Sequence, residues 1–237
     1  MKNIKALTLA LLLTLFGSSY ALAEFTVGVS GALADVSASG TETEGGEKTN
    51  GSADNQVGVV SIFAEYTGLV DGFTFGIDYI PMAADVSSKV KKRSDTETSV
   101  TDTTTTTSTA RTQEAQAELE NHLTLYASYA VNESMYVKGG AVMVDLNTLE
   151  SLGTGSKYGN ETVHGVLLGV GFEQEISPTS VGRLELSHTI YEGTSFKSSV
   201  ARAGVTANNL IDVDLDVTMT SAGQYSAKIS YGLENVT

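Results

Sequence analysis

Eight segments of the chain alternate apolar and polar residues with a period of two. In the first, EFTVGVSGALAD, Phe25, Val27 and Val29 share one parity, whereas Thr26 and Ser30 share the other. Successive side chains of a β-strand point to opposite faces, so this pattern predicts a strand with one apolar face. The other segments are QVGVVSIFAEYT, GFTFGIDYI, ENHLTLYASYA, MYVKGGAVMV, VHGVLLGVGFEQE, VGRLELSHTIYE and GQYSAKISYGL. The chain is therefore predicted to be all-β.

The gaps between these segments alternate between long and short. GLVDG, VNES and SPTS are short enough for tight turns, whereas the segments near 37–55, 86–116, 147–161 and 193–211 are long and polar. Transmembrane barrels have short turns at one end and long loops at the other. A soluble sandwich has no reason to sort its loops by length. We therefore predict an eight-stranded antiparallel up-and-down transmembrane β-barrel over residues 24–237.

The segment SDTETSVTDTTTTTSTAR, from Ser94 to Arg111, lies between the third and fourth predicted strands. If it were a linker between domains, it would leave three strands on one side and five on the other, two open sheets with unpaired edges. We therefore assign it to one long loop. Threonine favours extended structure, so a protruding ribbon is expected. The helix-forming residues of TARTQEAQAELE allow a short helix on the way back.

The first residues, MKNIKALTLALLLTLFGSSYALA, have the features of a secretory signal peptide at 1–23. Lys2 and Lys5 precede the apolar run Ala6–Phe16, and Ala21–Ala23 provides a small-x-small cleavage site. The run is too short for a spanning helix. We therefore expect export through the general secretory route and a mature chain that begins at Glu24.

The mature chain is expected to be strongly acidic. The full sequence has 14 Lys and Arg against 28 Asp and Glu, and two of the lysines lie in the leader, which gives a mature balance of −16. This charge argues against a nucleic-acid partner. Cysteine is absent, so neither disulfides nor thiolate chemistry is available.

Three strand segments carry a resemblance to a known family. They are YVKGGA (Tyr136–Ala141), GVLLGVGFE (Gly165–Glu173) and GRLELSH (Gly182–His188). The chain resembles the small outer-membrane β-barrel proteins of Gram-negative bacteria, the group of the OmpA transmembrane domain, OmpX and the opacity proteins. The resemblance implies residence in the bacterial outer membrane. Two departures are the ending GLENVT, which lacks the family's usual terminal aromatic, and the absence of Trp.

Charged residues fall on the parity opposite to the apolar set, and their predicted place is the barrel lumen. They are Glu65, Asp78, Glu120, Lys138, Glu173, Arg183, Glu185 and Lys228. An eight-stranded barrel has room inside only for side chains. We therefore expect a paired network that plugs the lumen of a protein with a structural or surface-interaction role. The alternatives are a small porin that conducts ions or small solutes and a soluble periplasmic lipid-binding barrel, because parity does not say which face is inside.

The histidines do not predict an enzyme. They are His122, His164 and His188, and only His188 has a serine beside it, Ser187. Neighbours on a strand point to opposite faces, so this Ser and His cannot form a catalytic pair. We predict no catalytic residues, no cofactor and no metal site.

Two sets of residues are expected to face the membrane surface. The basic run KVKKR places Lys89, Lys91, Lys92 and Arg93 just beyond the third strand, where they suit the phosphates of lipopolysaccharide. Tyrosines near the strand ends suit an interfacial girdle, namely Tyr66, Tyr79, Tyr129 and Tyr231. The long loops offer a surface for an extracellular partner, and a monomer is expected.

Overall fold

A computed structural model describes residues 24–44, 47–100, 106–151, 158–197 and 215–236. The predicted signal peptide lies outside the described residues. The strands are β1 (Phe25–Glu44), β2 (Glu47–Thr67), β3 (Phe73–Ile80), β4 (Ala84–Asp85), β5 (Lys91–Val100), β6 (Thr106–Ala115), β7 (Ala117–Ala130), β8 (Met135–Thr148), β9 (Glu161–Ser177), β10 (Ser180–Tyr191), β11 (Thr194–Lys197) and β12 (Leu215–Leu233).

Eight of these strands close into an antiparallel barrel in the order β1, β2, β3, β7, β8, β9, β10 and β12. The first and last strands close it, because β1 pairs with β12 from Val27 opposite Leu233 to Glu44 opposite Leu215. Closure leaves no open sheet edge along the barrel wall. The predicted eight-stranded up-and-down barrel is confirmed.

The alternation seen in the sequence becomes the two faces of the wall. On β1, Val29 and Leu33 are exposed on the outer face, while Thr26, Ser30 and Ala34 are buried inside. The apolar set therefore faces outward and the polar set inward along this strand, the reverse of what a soluble lipid-binding barrel requires. In the described part of the chain, no helix has the length and hydropathy to span a bilayer.

The short turns lie together at one end of the barrel, which we call the turn end. Two residues of positive φ, Gly68 (90°) and Gly72 (76°), frame the turn between β2 and β3, a conformation that glycine adopts without a Cβ clash. Between β7 and β8, the Asn132 side-chain oxygen accepts hydrogen bonds from the amides of Ser134 and Met135, each at 2.9 Å. Both ends of the barrel sequence, at Phe25 and Leu233, also lie here.

The opposite end, which we call the ribbon end, carries strands that outgrow the barrel wall. β1 and β2 stay paired up to Glu44 opposite Glu47, so most of the segment predicted as a loop at 37–55 is a strand hairpin. The prediction of a loop there was wrong because period-two apolar alternation marks only strands with an apolar face. Apart from Ala38 and Ala53, this stretch consists of polar residues and glycine, so no apolar alternation marks it.

The threonine-rich segment forms a second ribbon. β5 and β6 make a separate two-stranded sheet, with Lys91 opposite Ala115 and Val100 opposite Thr106. The expected ribbon is therefore present. The short helix allowed for TARTQEAQAELE is wrong, since this stretch forms parts of β6 and β7. Ribbon pairing overrides the weak helix propensity of Ala, Gln and Glu. Residues 103–105 of the threonine run lie outside the described residues.

Candidate functional site

The barrel lumen contains two layers of different chemistry. The ion-pair layer, toward the turn end, consists of Glu65, Asp78, Lys138, Glu173, Arg183, Glu185 and Lys228. The apolar layer, toward the ribbon end, consists of Val86, Val142, Val144, Leu146, Val163, Leu167, Tyr191 and Phe196. All members of the ion-pair layer were predicted from the sequence, whereas the apolar layer was not.

Lys138 and Glu185 form the most buried pair of the ion-pair layer. The lysine Nζ lies 2.9 Å from the glutamate Oε2, and the side chains are only 6% and 5% exposed. Tyr136 donates a hydrogen bond to the same carboxylate at 3.0 Å. The ammonium also lies 3.8 Å from the ring centroid of Tyr126. Both charges are therefore compensated from more than one side, which a buried charge requires.

Arg183 joins two carboxylates on different strands. Its NH1 atom contacts Glu65 and its Nε atom contacts Glu173, each at 2.5 Å. Tyr126 donates a hydrogen bond to the other oxygen of Glu65 at 2.7 Å. Glu173 is 39% exposed, so it marks the edge of the layer at the turn end. One guanidinium thus serves two acids, and the layer holds one carboxylate more than it holds cations.

Lys228 and Asp78 complete the layer on the other side of the lumen. The lysine Nζ lies 2.6 Å from the aspartate Oδ2. Ser61 donates a hydrogen bond to the same oxygen at 3.1 Å. A further inward pair of hydroxyls, Ser30 and Ser230, lies beside them at 2.9 Å. The ion pairs are therefore embedded in a hydrogen-bonded polar interior.

Glycines make room for the aromatic rings of the lumen. A Cβ built on Gly76 would lie 2.3 Å from the ring of Tyr126, and a Cβ on Gly171 would lie 2.1 Å from that of Tyr136. Each glycine is the direct cross-strand partner of its tyrosine. The inward glycines therefore let the rings lie flat against the wall, which brings the two hydroxyls to Glu65 and Glu185.

A polar chain lies at the boundary of the two layers and includes Tyr191 of the apolar layer. His122 Nε2 lies 3.0 Å from the Tyr191 hydroxyl, which donates a hydrogen bond to Gln224 at 3.1 Å. The three side chains are buried and come from β7, β10 and β12. Thr124 and Thr189, also buried, lie at neighbouring positions on two of these strands. The interior thus changes from charged to neutral polar to apolar along the barrel axis.

The apolar layer is built from the wall and from two segments beyond it. Val142, Val144 and Leu146 point inward from β8, on the same parity as Lys138. Phe196, from the short strand β11, packs into the same cluster and is only 6% exposed. The inward parity of the β8 residues was readable from the sequence. The packing of β11 over the lumen was not, because it depends on tertiary contact.

Val86 closes the layer from the other side. Its amide donates a hydrogen bond to the Ala117 carbonyl at 2.9 Å, which fixes the segment after β4 against β7. Its side chain is 8% exposed and packs in the apolar layer. The segment was predicted to begin a long loop at 86–116, and its first residue is instead part of the barrel interior.

The placement of Glu120 in the lumen was wrong. β7 and β8 change register between Glu120 and Leu123, with Asn121 at a positive φ of 53°. Beyond this bulge Leu119 packs on the apolar layer, and Glu120 lies opposite Asp145 on the outer face. A bulge shifts the inward parity by one residue, so a parity count that is carried through it assigns the wrong face.

The residues considered for hydrolytic chemistry lie apart. Ser187 faces the lumen, where its hydroxyl lies 2.8 Å from that of Ser226. His188 belongs to the other parity and stacks on Tyr225 with the ring centroids 4.0 Å apart. The structure does not bring this Ser and His together. Among the described residues, no group of three or more His, Asp or Glu is arranged to hold a metal ion.

A cavity of about 170 Å³ occupies the turn half of the lumen. It is lined by the whole ion-pair layer, by Phe63, Tyr126 and Tyr136, and by the turn between β7 and β8, including Glu133. Its volume leaves room for on the order of ten waters. The cavity therefore reaches from the mouth at the turn end to the centre of the ion-pair layer.

The basic cluster lies at the base of the threonine-rich ribbon. Lys89 and Lys91 are exposed there. Lys92 is 61% exposed and lies 2.6 Å from Glu114 on the paired strand. Lys91 and Lys92 are successive residues of β5, so their side chains point to opposite faces of the strand. The cluster therefore presents cations on two faces of the ribbon base.

Comparison with known proteins gives structural similarity alone. No protein-family model and no curated protein sequence matches the chain. Among solved structures, OprG from Pseudomonas aeruginosa is 12% identical, with 89% of this chain and 95% of that chain covered and a TM-score of 0.49. The Neisserial surface protein NspA is 13% identical, with 88% and 96% covered and a TM-score of 0.37.

The outer membrane protease OmpT from Escherichia coli is also similar in structure. It is 11% identical, with 94% of this chain and 99% of that chain covered and a TM-score of 0.40. OprG and NspA are outer-membrane β-barrels.

Proposed function

We propose that the chain spans the outer membrane as a barrel closed to solutes and acts at the cell surface through its ribbons. The membrane part rests on the outer face of the wall. Exposed apolar side chains cover it on all eight strands: Val29, Leu33, Val60, Ile62, Phe73, Leu125, Tyr129, Val137, Met143, Val166, Leu168, Val170, Phe172, Leu184, Leu186, Ile190, Tyr225, Ile229, Tyr231 and Leu233. Soluble monomeric proteins rarely expose an apolar surface of this extent, and such a surface marks contact with a membrane or another protein.

The dimensions of this belt suit a bilayer. From Tyr225 to Leu233, the outward residues of β12 cover ~26 Å of strand at ~3.3 Å per residue. At a strand tilt of ~40° this is ~20 Å of height, near the ~25 Å band of outer-membrane barrels. Aromatic rings border the belt. Phe73 and Tyr129, with centroids 4.9 Å apart, lie at the turn end, and Tyr79 lies toward the ribbon end.

The turn end is assigned to the periplasm and the ribbon end to the outside. Short turns face the periplasm and long extensions face outward in this class of barrel. In this orientation the ribbon of β5 and β6 and the hairpin of β1 and β2 project from the cell. Their polar, hydroxyl-rich strands are the part of the molecule available to a partner on the outside.

The apolar layer is the observation that carries closure. The ion-pair layer alone would admit water, because the cavity reaches into it. Toward the ribbon end, Val142 and Val144 are each only 1% exposed. Val86 and Phe196 pack in the same apolar layer. A water-free apolar constriction is a barrier to ions, since an ion that enters it loses its hydration shell.

Conductance in a planar lipid bilayer tests this closure. The refolded wild-type protein should insert without stepwise currents, and the double variant Val86→Ser with Phe196→Ser should conduct. Phe172→Ser, on the lipid-facing side of β9, is the matched control and should stay silent. Glu185→Gln should also stay silent, because the apolar layer remains. Reproducible currents from the wild-type protein would refute closure and support the porin alternative.

The porin alternative keeps one observation in its favour, which is the cavity. It takes up the turn half of the lumen and is lined by charges, as a conducting path would be. Conduction would require the segments of Val86 and Phe196 to leave the lumen. In that case the charge swap of Lys138 with Glu185 should alter the ion selectivity of the current.

The basic cluster is proposed to contact lipopolysaccharide. Lys89 and Lys91 are exposed at the ribbon end, just beyond the belt, where the phosphates of the outer leaflet lie in this orientation. Replacing both lysines by alanine should weaken binding of the refolded protein to lipopolysaccharide vesicles. Lys48→Ala, which removes an exposed lysine from the β2 ribbon, is the control. Equal weakening by the control would refute a local contact.

A further inference from the structure

The cavity at the turn end carries an unequal set of charges. Its lining contains five carboxylates, which are the four of the ion-pair layer and Glu133, against the three cations Lys138, Arg183 and Lys228. The excess is two negative charges. Deep in the cavity the charges are balanced, because Lys138 pairs with Glu185 and Lys228 pairs with Asp78. The excess therefore lies at the mouth.

Two carboxylates at the mouth hold this excess. Glu173 shares the guanidinium of Arg183 with Glu65 and remains 39% exposed. Glu133 is exposed on the turn between β7 and β8. The rim beyond them is acidic as well. Burial and the neighbouring carboxylates of Glu24, Glu173 and Glu175 raise the pKa of Glu234 above its usual value. The field at this end of the barrel therefore attracts cations.

The walls of the cavity also suit a cation with a hydrocarbon body. Phe63, Tyr126 and Tyr136 line it. The faces of the first two already meet cations of the chain, with Arg183 at 5.6 Å from the Phe63 centroid and Lys138 at 3.8 Å from that of Tyr126. Aromatic faces attract ammonium and guanidinium groups and pack against methylene groups. An anion would meet the same rings and the surplus carboxylates, and both would repel it.

We propose that this cavity binds a small organic dication, of the aliphatic diamine class, from the turn end. Two ammonium groups balance the two surplus charges. The volume of about 170 Å³ accommodates a short chain between them, whereas a bare metal ion would leave most of the space to water. One ammonium lies at Glu173 and the other at Glu133, and the methylene chain between them lies against the aromatic wall of the cavity. The access side in the cell rests on the proposed orientation, but binding itself does not.

Isothermal titration calorimetry of the refolded full chain in a nonionic detergent tests the proposal. The probe is putrescine, a four-carbon diamine, and succinate, a dicarboxylate of the same length, is the matched ligand control. One putrescine molecule should bind per barrel, and its affinity should fall as the salt concentration is raised. Succinate should give no saturable heat. Absence of putrescine binding, or equal binding of succinate, would overturn the proposal.

Variants of the mouth locate the site. The double variant Glu133→Gln with Glu173→Gln should lower the affinity for putrescine by roughly tenfold or more, because each substitution removes a charge-assisted contact. Glu175→Gln removes an exposed acid of the same rim that does not line the cavity, and it should change affinity less than twofold. An equal loss from Glu175→Gln would reduce the effect to general attraction and overturn the site.

Two further controls distinguish a lost binding site from an unfolded barrel. Both variants change exposed or partly exposed side chains, and unchanged heat-dependent gel mobility would show that the barrel is folded. The single variant Glu133→Gln, on an exposed turn, provides a milder version of the test. The bilayer conductance experiment is independent. A conducting barrel would refute closure and leave the binding result as it stands, whereas a silent barrel that fails to bind putrescine would refute only the site.

Discussion

At the residue scale, the lumen depends on pairs of a glycine and an aromatic residue on adjacent strands. Gly28 faces Phe63, Gly76 faces Tyr126, and Gly171 faces Tyr136. In each pair a Cβ on the glycine would come within 2.3 Å of the ring. These contacts let large rings occupy a narrow barrel without pushing the strands apart. They also decide where the tyrosine hydroxyls meet the buried carboxylates.

Gly171→Ala should therefore destabilise the barrel by about 2 kcal/mol, because the new methyl group overlaps the Tyr136 ring and forces it off Glu185. Unfolding in urea, followed by gel mobility in phospholipid vesicles, measures the change. Gly139→Ala is the matched control, since its Cβ would meet only Leu168, at 4.0 Å. The steric account fails if the two alanines have the same effect on the free energy of unfolding.

At the element scale, the bulge in β7 sets which residues enter the apolar layer. Asn121 holds it with its positive φ and with both ends of its side-chain amide. Its oxygen accepts a hydrogen bond from the Tyr79 hydroxyl at 2.9 Å, and its nitrogen donates one to Asp145 at 3.0 Å. Asparagine tolerates this conformation better than other residues with a Cβ. The bulge turns Leu119 inward and Glu120 outward.

Asn121→Val should cost about 2 kcal/mol in unfolding free energy, since a β-branched residue is strained at this φ and both hydrogen bonds are lost. Asn121→Gly also removes the hydrogen bonds but accepts the backbone conformation, so it should cost less. Urea unfolding of both variants provides the comparison. A glycine variant as unstable as the valine variant would mean that the hydrogen bonds, and not the backbone, hold the bulge.

The same element shows how far the sequence predicts the lumen. Alternation located the barrel strands and the inward position of Glu65, Asp78 and Lys138, because a regular strand keeps its parity. It misplaced Glu120, because a bulge leaves no mark in an apolar pattern. It also missed Phe196, whose strand β11 is short and joins the lumen only through long-range packing. Local periodicity predicts the wall, and tertiary contact determines what fills it.

At the scale of the whole molecule, the polarity of the barrel is arranged in two directions. Across the wall, apolar side chains face outward and charges face inward, which suits lipid outside. Along the axis, the interior changes from the ion-pair layer to the apolar layer, which suits water access from one end only. These two gradients are the basis for the proposal of a closed membrane barrel, and for the proposal that the two ends face opposite environments.

Cysteine labelling on intact cells tests this assignment, and the chain offers a clean background because it contains no Cys. Ser94→Cys places a thiol on an exposed position of the β5 ribbon, and Asp71→Cys places one on the turn between β2 and β3. A maleimide that cannot cross membranes should label the first variant on whole cells, whereas the second should be labelled only after the outer membrane is permeabilised. Neither side chain contacts the lumen, so folding should be retained.

The labelling patterns of Ser94→Cys and Asp71→Cys distinguish the proposed orientation from an inverted barrel and from a soluble periplasmic protein. A barrel inserted the other way would exchange the two labelling patterns, and a soluble periplasmic protein would leave both thiols protected until permeabilisation. A control thiol within the belt, Leu186→Cys, should resist the reagent in both preparations, because lipid covers that face. Labelling of Leu186→Cys in permeabilised cells would mean that the apolar surface meets water, and the membrane-spanning assignment would then be lost.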